Sequence, residues 1–235
     1  MNWSGGKDSA FALHQVLHQG KYQVDCLLTS VNAVHNRVSM HGVRRTMLEA
    51  QAESIGIPLV TLEMPEQPSM LDYESLMLKT VCKLQDQGFT HSIFGDIFLE
   101  DLRKYREAKL APVGMQAVFP IWKIDTGKLV RQFLDAGFKT IVVCVNDLFL
   151  DKSFCGRIVD EQFLDDLPPG VDPCGENGEF HTFVFDGPIF KHALPFSTGE
   201  IVYKEYAAPK TDADSCAKTV DDSNSQYGFW FCDLY

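Results

Sequence analysis

A glycine turn carrying hydroxyl and charged side chains lies close to the N-terminus. Residues 4–9 read Ser-Gly-Gly-Lys-Asp-Ser, and apolar residues at helical spacing follow them. Paired glycines permit positive φ and close approach of a ligand, and the free N–H groups of a helix N-terminus favour phosphate. Lys7 adds a cation, and Ser4 and Ser9 add hydroxyls. We expect a phosphate-binding loop; the alternative is a plain strand-to-helix turn capped by Asp8 or Ser9.

A second group of polar side chains is concentrated in residues 173–182, just before a predicted strand. Glu176 and Glu179 are candidates to bind a cation, to accept a proton, or to hold Mg²⁺. His181 is a candidate base near neutral pH or a polar strand residue. The simpler interpretation of the segment is a hairpin loop in which Asn177 and Gly178 are the turn residues.

Three further groups of residues follow predicted strands or lie on a charged helix. Residues 40–42 (Met-His-Gly) and the pair Gly95-Asp96 are expected at the carboxyl edge of a parallel sheet, where α/β proteins bind ligands. Arg103 and Arg106 lie in a charged helix predicted over residues 97–110. They are candidates to clamp a carboxylate bidentately, or they form surface ion pairs.

The first loop lacks the G-x-x-x-x-G-K-[ST] spacing of a Walker A motif. It resembles instead the PP-loop of the ATP pyrophosphatases, Ser-Gly-Gly-x-Asp-Ser, which holds the β- and γ-phosphates while ATP is cut between the α- and β-phosphates. Taken with residues 40–42, 95–97, 120–122 and 175–182, the chain resembles the diphthine–ammonia ligase family of PP-loop proteins over nearly its whole length.

This resemblance implies an enzyme that uses ATP and Mg²⁺ to adenylate a carboxylate and then passes the acyl group to ammonia as an amide. Its expected partners are ATP, ammonia or ammonium, and a carboxylate on a small molecule or a modified protein side chain; a homodimer is compatible with it. The nucleotide-binding residues would be Ser4, Gly5, Gly6, Lys7, Asp8, Ser9, Met40, His41, Gly42, Gly95 and Asp96. The catalytic residues would be Lys7, Asp8, Glu176, Glu179 and His181. The substrate-binding residues would be Arg103, Arg106, Gly175, Asn177 and Thr182, and Asp8 would help to hold Mg²⁺.

Two stretches depart from the pattern of the eukaryotic and archaeal members: residues 175–182, and residues 94–96, which read Phe-Gly-Asp where those members carry a Glu-Gly pair. Asn177 stands where those members have Gly, and His181 stands where they have Glu. The variant resembles the bacterial branch, which leaves a different small carboxylate open as the substrate, with cobalamin salvage as one suggestion. A tRNA-modifying PP-loop enzyme and a regulatory module that binds ATP without turnover are the competing hypotheses for the whole chain.

Strands alternate with helices in the first half, which predicts an α/β fold with about five parallel strands in a Rossmann-like, adenine nucleotide α-hydrolase-like sheet. We expect this nucleotide-binding domain over residues 1–124. Its predicted strands cover residues 24–31, 59–62, 91–96 and 117–122, and its predicted helices include 43–55 and 71–87. Only three residues precede the first loop, so the first strand is unusually short, and we expect a few residues to be missing there.

A smaller α+β domain is expected over residues 125–235. Helices are predicted near 129–136 and 158–164, and strands near 140–146, 181–185, 199–206 and 227–232, with antiparallel pairing of the later strands. Residues 208–226 are rich in Asp, Ser, Thr and Lys and predict a flexible segment.

The net charge, the cysteine spacing and the apolar runs of the sequence limit which kinds of partner we expect. The formal net charge of −11 disfavours a broad nucleic-acid surface and, with seven cysteines that form no C-x-x-C pair, the tRNA-modifying hypothesis. No apolar run approaches the roughly 20 residues of a membrane helix, and no signal peptide pattern is present, so we expect a cytoplasmic protein without membrane contact.

Overall fold

The computed structural model describes residues 1–39, 41–66, 69–206 and 227–235. Met40, Cys216 and the predicted flexible segment 208–226 therefore lie outside the described residues. The first half contains α1 (Lys7–Gln19), β1 (Leu27–Asn32), β2 (Arg37–Val38), α2 (Arg45–Ile55), β3 (Leu59–Met64), α3 (Met70–Asp86), β4 (His91–Ile93), α4 (Glu100–Leu110) and β5 (Gln116–Val118). The second half contains α5 (Thr126–Asp135), β6 (Lys139–Asn146), α6 (Glu161–Asp166), β7 (Phe180–Asp186), β8 (Thr198–Tyr206) and β9 (Tyr227–Leu234).

The parallel strands of the first half form two short sheets. In one, β1 pairs in parallel with β3 and antiparallel with β2, and in the other β4 pairs in parallel with β5. The assigned sheets are thus not the single five-stranded parallel sheet that we predicted. The antiparallel β2 was also missed, because Arg37–Val38 lies in a polar stretch without a strand pattern.

The first three residues lie between these two sheets. On one side the Trp3 N–H donates to the Leu28 carbonyl, and the Leu28 N–H donates to the Met1 carbonyl, each at 2.8 Å. On the other side the Asn2 N–H donates to the Ile93 carbonyl at 2.8 Å. The short segment thus links β1 to β4 and leads directly into the glycine turn. A continuous five-stranded sheet remains a prediction.

Helix α1 follows the glycine turn and is anchored by its apolar face. Ala10, Phe11, Leu13 and Val16 are buried, which matches the predicted helical spacing. Phe11 packs edge-on against Phe133 of the second half, with ring centroids 6.2 Å apart. One apolar core therefore runs through both halves and fixes the start of α1 relative to the second half.

The second half is built around an antiparallel sheet in the order β7-β6-β9-β8. Seven of the eight residues of β6 are buried, as its run of β-branched residues predicts. Helix α5 buries Leu129, Val130 and Phe133 in the same apolar core as residues of β6 and β7. The predicted strands and their antiparallel pairing are confirmed here. Among the described helices, none is long and apolar enough to cross a membrane.

Candidate active site

A cavity of about 950 Å³ opens between the two halves at the start of α1. It lies at the carboxyl ends of β1 and β4, as expected for a ligand site of an α/β fold. From the first half it is lined by residues that include Ser4, Gly6, Lys7, Asp8, Ser9, His41, Asp96 and Arg106. From the second half it is lined by Cys174, Gly175, Glu176, Gly178, Phe180, His181 and Thr182. Both predicted loops therefore face one cavity.

The two glycines of the first loop are required for different reasons. Gly5 has φ +79°, a conformation that favours glycine. Gly6 has an ordinary φ, but a Cβ there would lie 3.0 Å from the Thr182 carbonyl oxygen and 3.1 Å from the His41 ring. Ser4 accepts a hydrogen bond from the Gly6 N–H at 3.2 Å. The loop is tight because another segment packs directly against it.

Lys7 and Asp8 form an ion pair at the start of α1. The Lys7 ammonium donates to both Asp8 carboxylate oxygens, at 2.8 and 2.9 Å, and to the Cys174 carbonyl. Burial is the largest single influence on the pKa of Lys7 and lowers it, but the Asp8 charge, the Asp8 hydrogen bond and the nearby Cys174 and Glu176 groups together outweigh it, so the pKa rises to about 12. Burial raises the pKa of Asp8, and the Lys7 charge offsets this only in part. Lys7 is therefore charged, and a phosphate would compete with Asp8 for it.

Thr182 joins the second loop to the first. Its hydroxyl accepts the Lys7 backbone N–H at 3.0 Å, and its carbonyl oxygen lies 3.3 Å from His41 Nδ1. The rings of His41 and His181 lie 4.6 Å apart between centroids. Burial lowers the pKa of His41 to about 4 and that of His181 well below its usual range. Both imidazoles are therefore neutral at pH 7 and present polar, uncharged groups to the cavity.

Glu176 is the carboxylate of the second loop that faces the cavity. One of its oxygens accepts the Ile97 N–H at 3.1 Å, which ties the loop to the segment after β4. Burial first, and then the nearby Asp8 charge, raises the pKa of Glu176 to about 7. A carboxyl group with this pKa can accept a proton near neutral pH and release it again.

Glu179 occupies a different environment, although it is only three residues further on. Its side chain is 1% exposed and does not line the cavity. Its carboxylate accepts the Asp172 N–H at 3.0 Å, the Asn177 N–H at 2.9 Å and the Asn177 side-chain amide at 3.1 Å. These contacts hold the loop in shape. Its predicted catalytic role and the substrate contact of Asn177 remain predictions without support from this geometry.

Two organising residues were missed in the sequence. Asp172 accepts the N–H groups of Cys174 and Glu176 at 2.8 and 3.3 Å, and the Thr126 hydroxyl at 2.7 Å. It shapes the turn that presents Glu176. An Asp just before a Pro-x-Gly stretch is a signal for such a turn that was available in the sequence.

Gln51 of α2 is the second missed residue. It is completely buried, and its amide donates to the carbonyl oxygens of Gly5 and Val184 at 3.0 and 2.6 Å. Its own oxygen accepts the Trp3 indole N–H at 3.0 Å. One amide therefore joins the N-terminal segment, the first loop and β7. A glutamine on the apolar face of a helix was the available signal.

The two arginines predicted to bind substrate are separated. Arg106 lines the cavity, pairs with Asp96 through both carboxylate oxygens at 2.5 and 3.0 Å, and lies 4.3 Å from the Phe94 ring centroid. Arg103 is not among the residues that line the cavity. It pairs with Glu107 at 2.8 Å and packs on the Trp122 ring.

The remaining predicted nucleotide-binding residues lie close to the first loop or behind it. His41 lines the cavity, whereas Gly42 has φ +70° and packs against Phe231. Gly95 lies so close to α1 that a Cβ would be 2.9 Å from the Asp8 carbonyl oxygen. Gly95 therefore lets Asp96 and the start of α1 line the same cavity.

The chemistry of the cavity fits Mg²⁺ only as part of a nucleotide complex. The described residues contain no group of three or more His, Cys, Asp or Glu side chains placed to hold a metal ion. Mg²⁺ commonly binds one or two carboxylates together with substrate phosphates and water. Asp8 beside the phosphate loop can supply one such carboxylate, so the residues present fit the ion when phosphates supply the other ligands.

Similarity to known domains and proteins identifies the family of this chain. Residues 1–117 match the diphthamide synthase N-terminal domain, and residues 125–209 match the diphthamide synthase C-terminal domain. The diphthine–ammonia ligase of Danio rerio is 25% identical over 223 residues, which cover 85% of this chain and 86% of the relative. The Homo sapiens enzyme of the same name is 24% identical over 225 residues, covering 85% and 82%. The match to the N-terminal domain precedes the match to the C-terminal domain along the chain, as it does in the family. The chain belongs to the diphthine–ammonia ligase family.

Proposed function

We propose that this protein is an ATP-dependent ligase that converts the carboxylate of diphthine, or of a closely similar acid, to an amide with ammonia. The observation that carries the proposal is the meeting of the PP-loop and the Glu176 loop in one cavity, joined through the Lys7–Thr182 hydrogen bond. Membership of a family whose named relatives are diphthine–ammonia ligases supports the same reaction.

The reaction has two steps. First, a carboxylate oxygen of the acyl substrate attacks the α-phosphorus of ATP. The bond from that phosphorus to the oxygen that bridges to the β-phosphate breaks, which gives acyl-AMP and pyrophosphate. In the second step the ammonia nitrogen attacks the acyl carbon, the bond from that carbon to the AMP oxygen breaks, and the nitrogen loses one proton. The products are the amide and AMP.

The first loop is the candidate for stabilising the leaving pyrophosphate. Lys7 is a buried cation, and its charge and the N–H groups at the start of α1 would face phosphate oxygens that gain negative charge. Asp8 would release Lys7 when the phosphates bind and would be free to contact Mg²⁺. Bound Mg²⁺ would supply further positive charge to the pyrophosphate oxygens.

Glu176 is the candidate for the second step. Ammonium must lose a proton to become a nucleophile, and the amide nitrogen must lose another after the attack. A carboxylate of pKa about 7 can attract ammonium and accept a proton near neutral pH. The neutral imidazoles of His41 and His181 would not repel ammonium. Glu179 and Asp172 would act by positioning this loop.

Arg106 and its partner Asp96, which line the main cavity, are the candidates for binding the acyl substrate. Arg106 lines the cavity and can share its guanidinium between Asp96 and a second carboxylate. Residues 1–124 would form the nucleotide-binding domain and residues 125–235 the domain that closes the substrate side. A regulatory module that binds ATP without acyl transfer would give Glu176 no role.

The test is to identify products. The protein is incubated with ATP, Mg²⁺ and ¹⁵N-ammonium, with and without a diphthine-bearing protein, and the nucleotides and the acyl product are followed by chromatography and mass spectrometry. We expect AMP and pyrophosphate in equal amounts and one ¹⁵N in the acyl product. ADP as the product, or ATP binding without turnover in the presence of both co-substrates, would refute the proposal. AMP formed with another acid but not with diphthine would support a small carboxylate as the substrate.

A further inference from the structure

The main cavity opens beside an exposed apolar surface on α3. Met70 of α3 and Leu99, the residue before α4, line the main cavity and are also exposed to solvent. Leu71 and Leu78 of α3 line a smaller cavity of about 370 Å³ between α3 and α4, and they are 77% and 51% exposed. We call these four side chains the apolar margin. Nothing in the reaction described above uses it.

The apolar margin is continuous with the candidate active site. Six residues line both cavities, namely Asn2, Tyr73, Met77, Phe94, Tyr105 and Arg106. Arg106, the candidate for contacting the acyl carboxylate, therefore lies at the boundary between the two cavities. A body that covers the apolar margin lies directly beside the place at which the carboxylate would be held.

The packing of α3 leaves the apolar margin open to solvent. This helix has 17 residues, all of which the structure describes, and Val81 and Leu84 are the buried ones. A surface helix normally turns its apolar stripe toward the core, whereas Leu71 and Leu78 face solvent here. The other exposed large apolar side chains in the described part of the chain line neither cavity. Exposed apolar surface next to the site therefore comes from the margin.

The charged groups next to the apolar margin are already paired. Glu74 accepts a hydrogen bond from the Tyr105 hydroxyl at 3.0 Å and forms an ion pair with Lys109 at 2.8 Å. Arg106 pairs with Asp96 at 2.5 Å. An apolar centre with a polar edge is the usual anatomy of a protein–protein interface, and exposed apolar patches commonly mark such sites.

The proposed reaction indicates which body covers this surface. Its substrate is a modified side chain of a protein, so part of that protein must lie against the opening of the main cavity whenever the carboxylate reaches Arg106. The apolar margin is the exposed apolar surface at that point. A second copy of the chain on the same surface would compete with the substrate for it.

We propose that the apolar margin is the docking surface for the protein that bears the substrate side chain, and that this protein presents apolar residues next to that side chain. The inference rests on the proposed function and adds a recognition surface outside the main cavity. Because the product must leave after each turnover, the contact is transient, and transient interfaces often bury less than about 1,200 Å².

The first experiment compares rates with the protein substrate. Leu71→Asp and Leu78→Asp each place a charge in the apolar margin, and neither residue lines the main cavity. We expect each variant to lower kcat/KM for the diphthine-bearing protein at least about tenfold through a higher KM, as for loss of an interface hot spot, with the Kd for ATP unchanged. Leu17→Asp is the matched control, because Leu17 is 46% exposed on α1 and lines neither cavity.

The second experiment separates docking from the chemistry of the site. Free diphthine carries the reacting carboxylate but no protein surface, so its KM and kcat should be the same in the wild type, Leu71→Asp and Leu78→Asp. Biolayer interferometry on the immobilised diphthine-bearing protein should show a Kd at least about tenfold higher for both variants than for Leu17→Asp. Equal losses with free diphthine and with the protein would show that these residues support the site itself, and would overturn the inference.

Failure of the inference and failure of the proposed function give different results. AMP formation with the protein substrate at equal KM in the Leu71, Leu78 and Leu17 variants supports the ligase and refutes the docking surface. Binding of the protein that depends on Leu71 and Leu78, without AMP formation, supports the surface and refutes the ligase reaction. A lower sedimentation coefficient for Leu78→Asp, with the KM for the protein unchanged, would assign the margin to a second copy of the chain and also refute the inference.

Discussion

The two glycine loops that meet in the main cavity are held in opposite ways. The loop of residues 4–9 is fixed from outside, by Gln51, Val184 and Thr182, which belong to distant parts of the chain. The loop of residues 172–182 also contacts other segments, but its turn is shaped from within, by the carboxylates of Asp172 and Glu179. The backbone of the first loop is therefore held without the side chains of Lys7 and Asp8, which pair with each other at the cavity, whereas the second loop uses two of its three carboxylates to hold its own backbone.

This difference shows why similar residues in one loop need not share a role. Glu176 and Glu179 are three residues apart, yet one faces the cavity with a raised pKa and the other is buried with three N–H donors. A carboxylate whose acceptor sites are occupied stabilises the fold. A carboxylate that faces a cavity beside another negative charge is available for proton transfer.

The largest loss of activity is expected from a substitution in the first loop. Lys7→Ala should lower the rate of AMP formation by at least ~100-fold, because one preorganised charge at a developing anion is lost. Single-turnover measurement of AMP with saturating ATP tests this. The control is Lys128→Ala, since Lys128 lies on α5 and does not line the cavity. Equal rates for both variants would show that the first loop is only a turn.

The next largest loss of activity is expected from substitution of Glu176. Glu176→Gln should lower the rate of amide formation by about 100-fold, in the range of general base catalysis, and pyrophosphate release by much less. The wild-type rate should rise as the pH increases through about 7, since the Glu176 pKa is about 7, and this limb should disappear in the variant. Quenched-flow measurement of both products separates the two steps. An unchanged pH profile would remove Glu176 from the proton transfer.

Glu179→Gln should mainly affect stability. The amide supplies one acceptor oxygen where the carboxylate accepts three hydrogen bonds, so the free energy of unfolding should fall by about 2 kcal/mol. Urea unfolding at pH 7 measures this. Glu53→Gln on the exposed surface of α2 is the matched control, with an expected change below about 0.5 kcal/mol. A stable Glu179→Gln protein with no amide formation would reverse the assigned roles.

The smallest effect concerns the pH dependence of stability without ligand. The Glu176 pKa is 4.5 in the unfolded chain and about 7 in the folded protein, so the folded state binds more protons between these pH values. Stability should therefore fall as the pH rises from about 4.5 to 7. Relative to wild type, Glu176→Gln should gain about 1–2 kcal/mol between pH 5 and pH 8, after allowance for the partial exposure of the group. Urea unfolding curves at the two pH values measure it, and no gain would mean that Glu176 is not desolvated.

Much of the architecture follows from local sequence patterns. The positions of α1, α2 and α3 and of the four strands of the second half agree with their predicted positions to within a few residues. Local spacing also located the first loop. The antiparallel β2 and the division of the first half into sheets of three and two assigned strands were not predictable, because two- and three-residue strands carry almost no periodicity.

The sequence by itself determined that a glycine turn with a cation precedes a helix, and that a second loop rich in carboxylates precedes a strand. Only the tertiary structure decided that Thr182 reaches the Lys7 N–H across 175 residues of chain and that Gln51 fixes the first loop. It also decided that Glu176, not Glu179, faces the cavity. The physical reason is that burial and hydrogen-bond partners set the charge state and availability of a side chain, and those partners come from segments distant in the sequence.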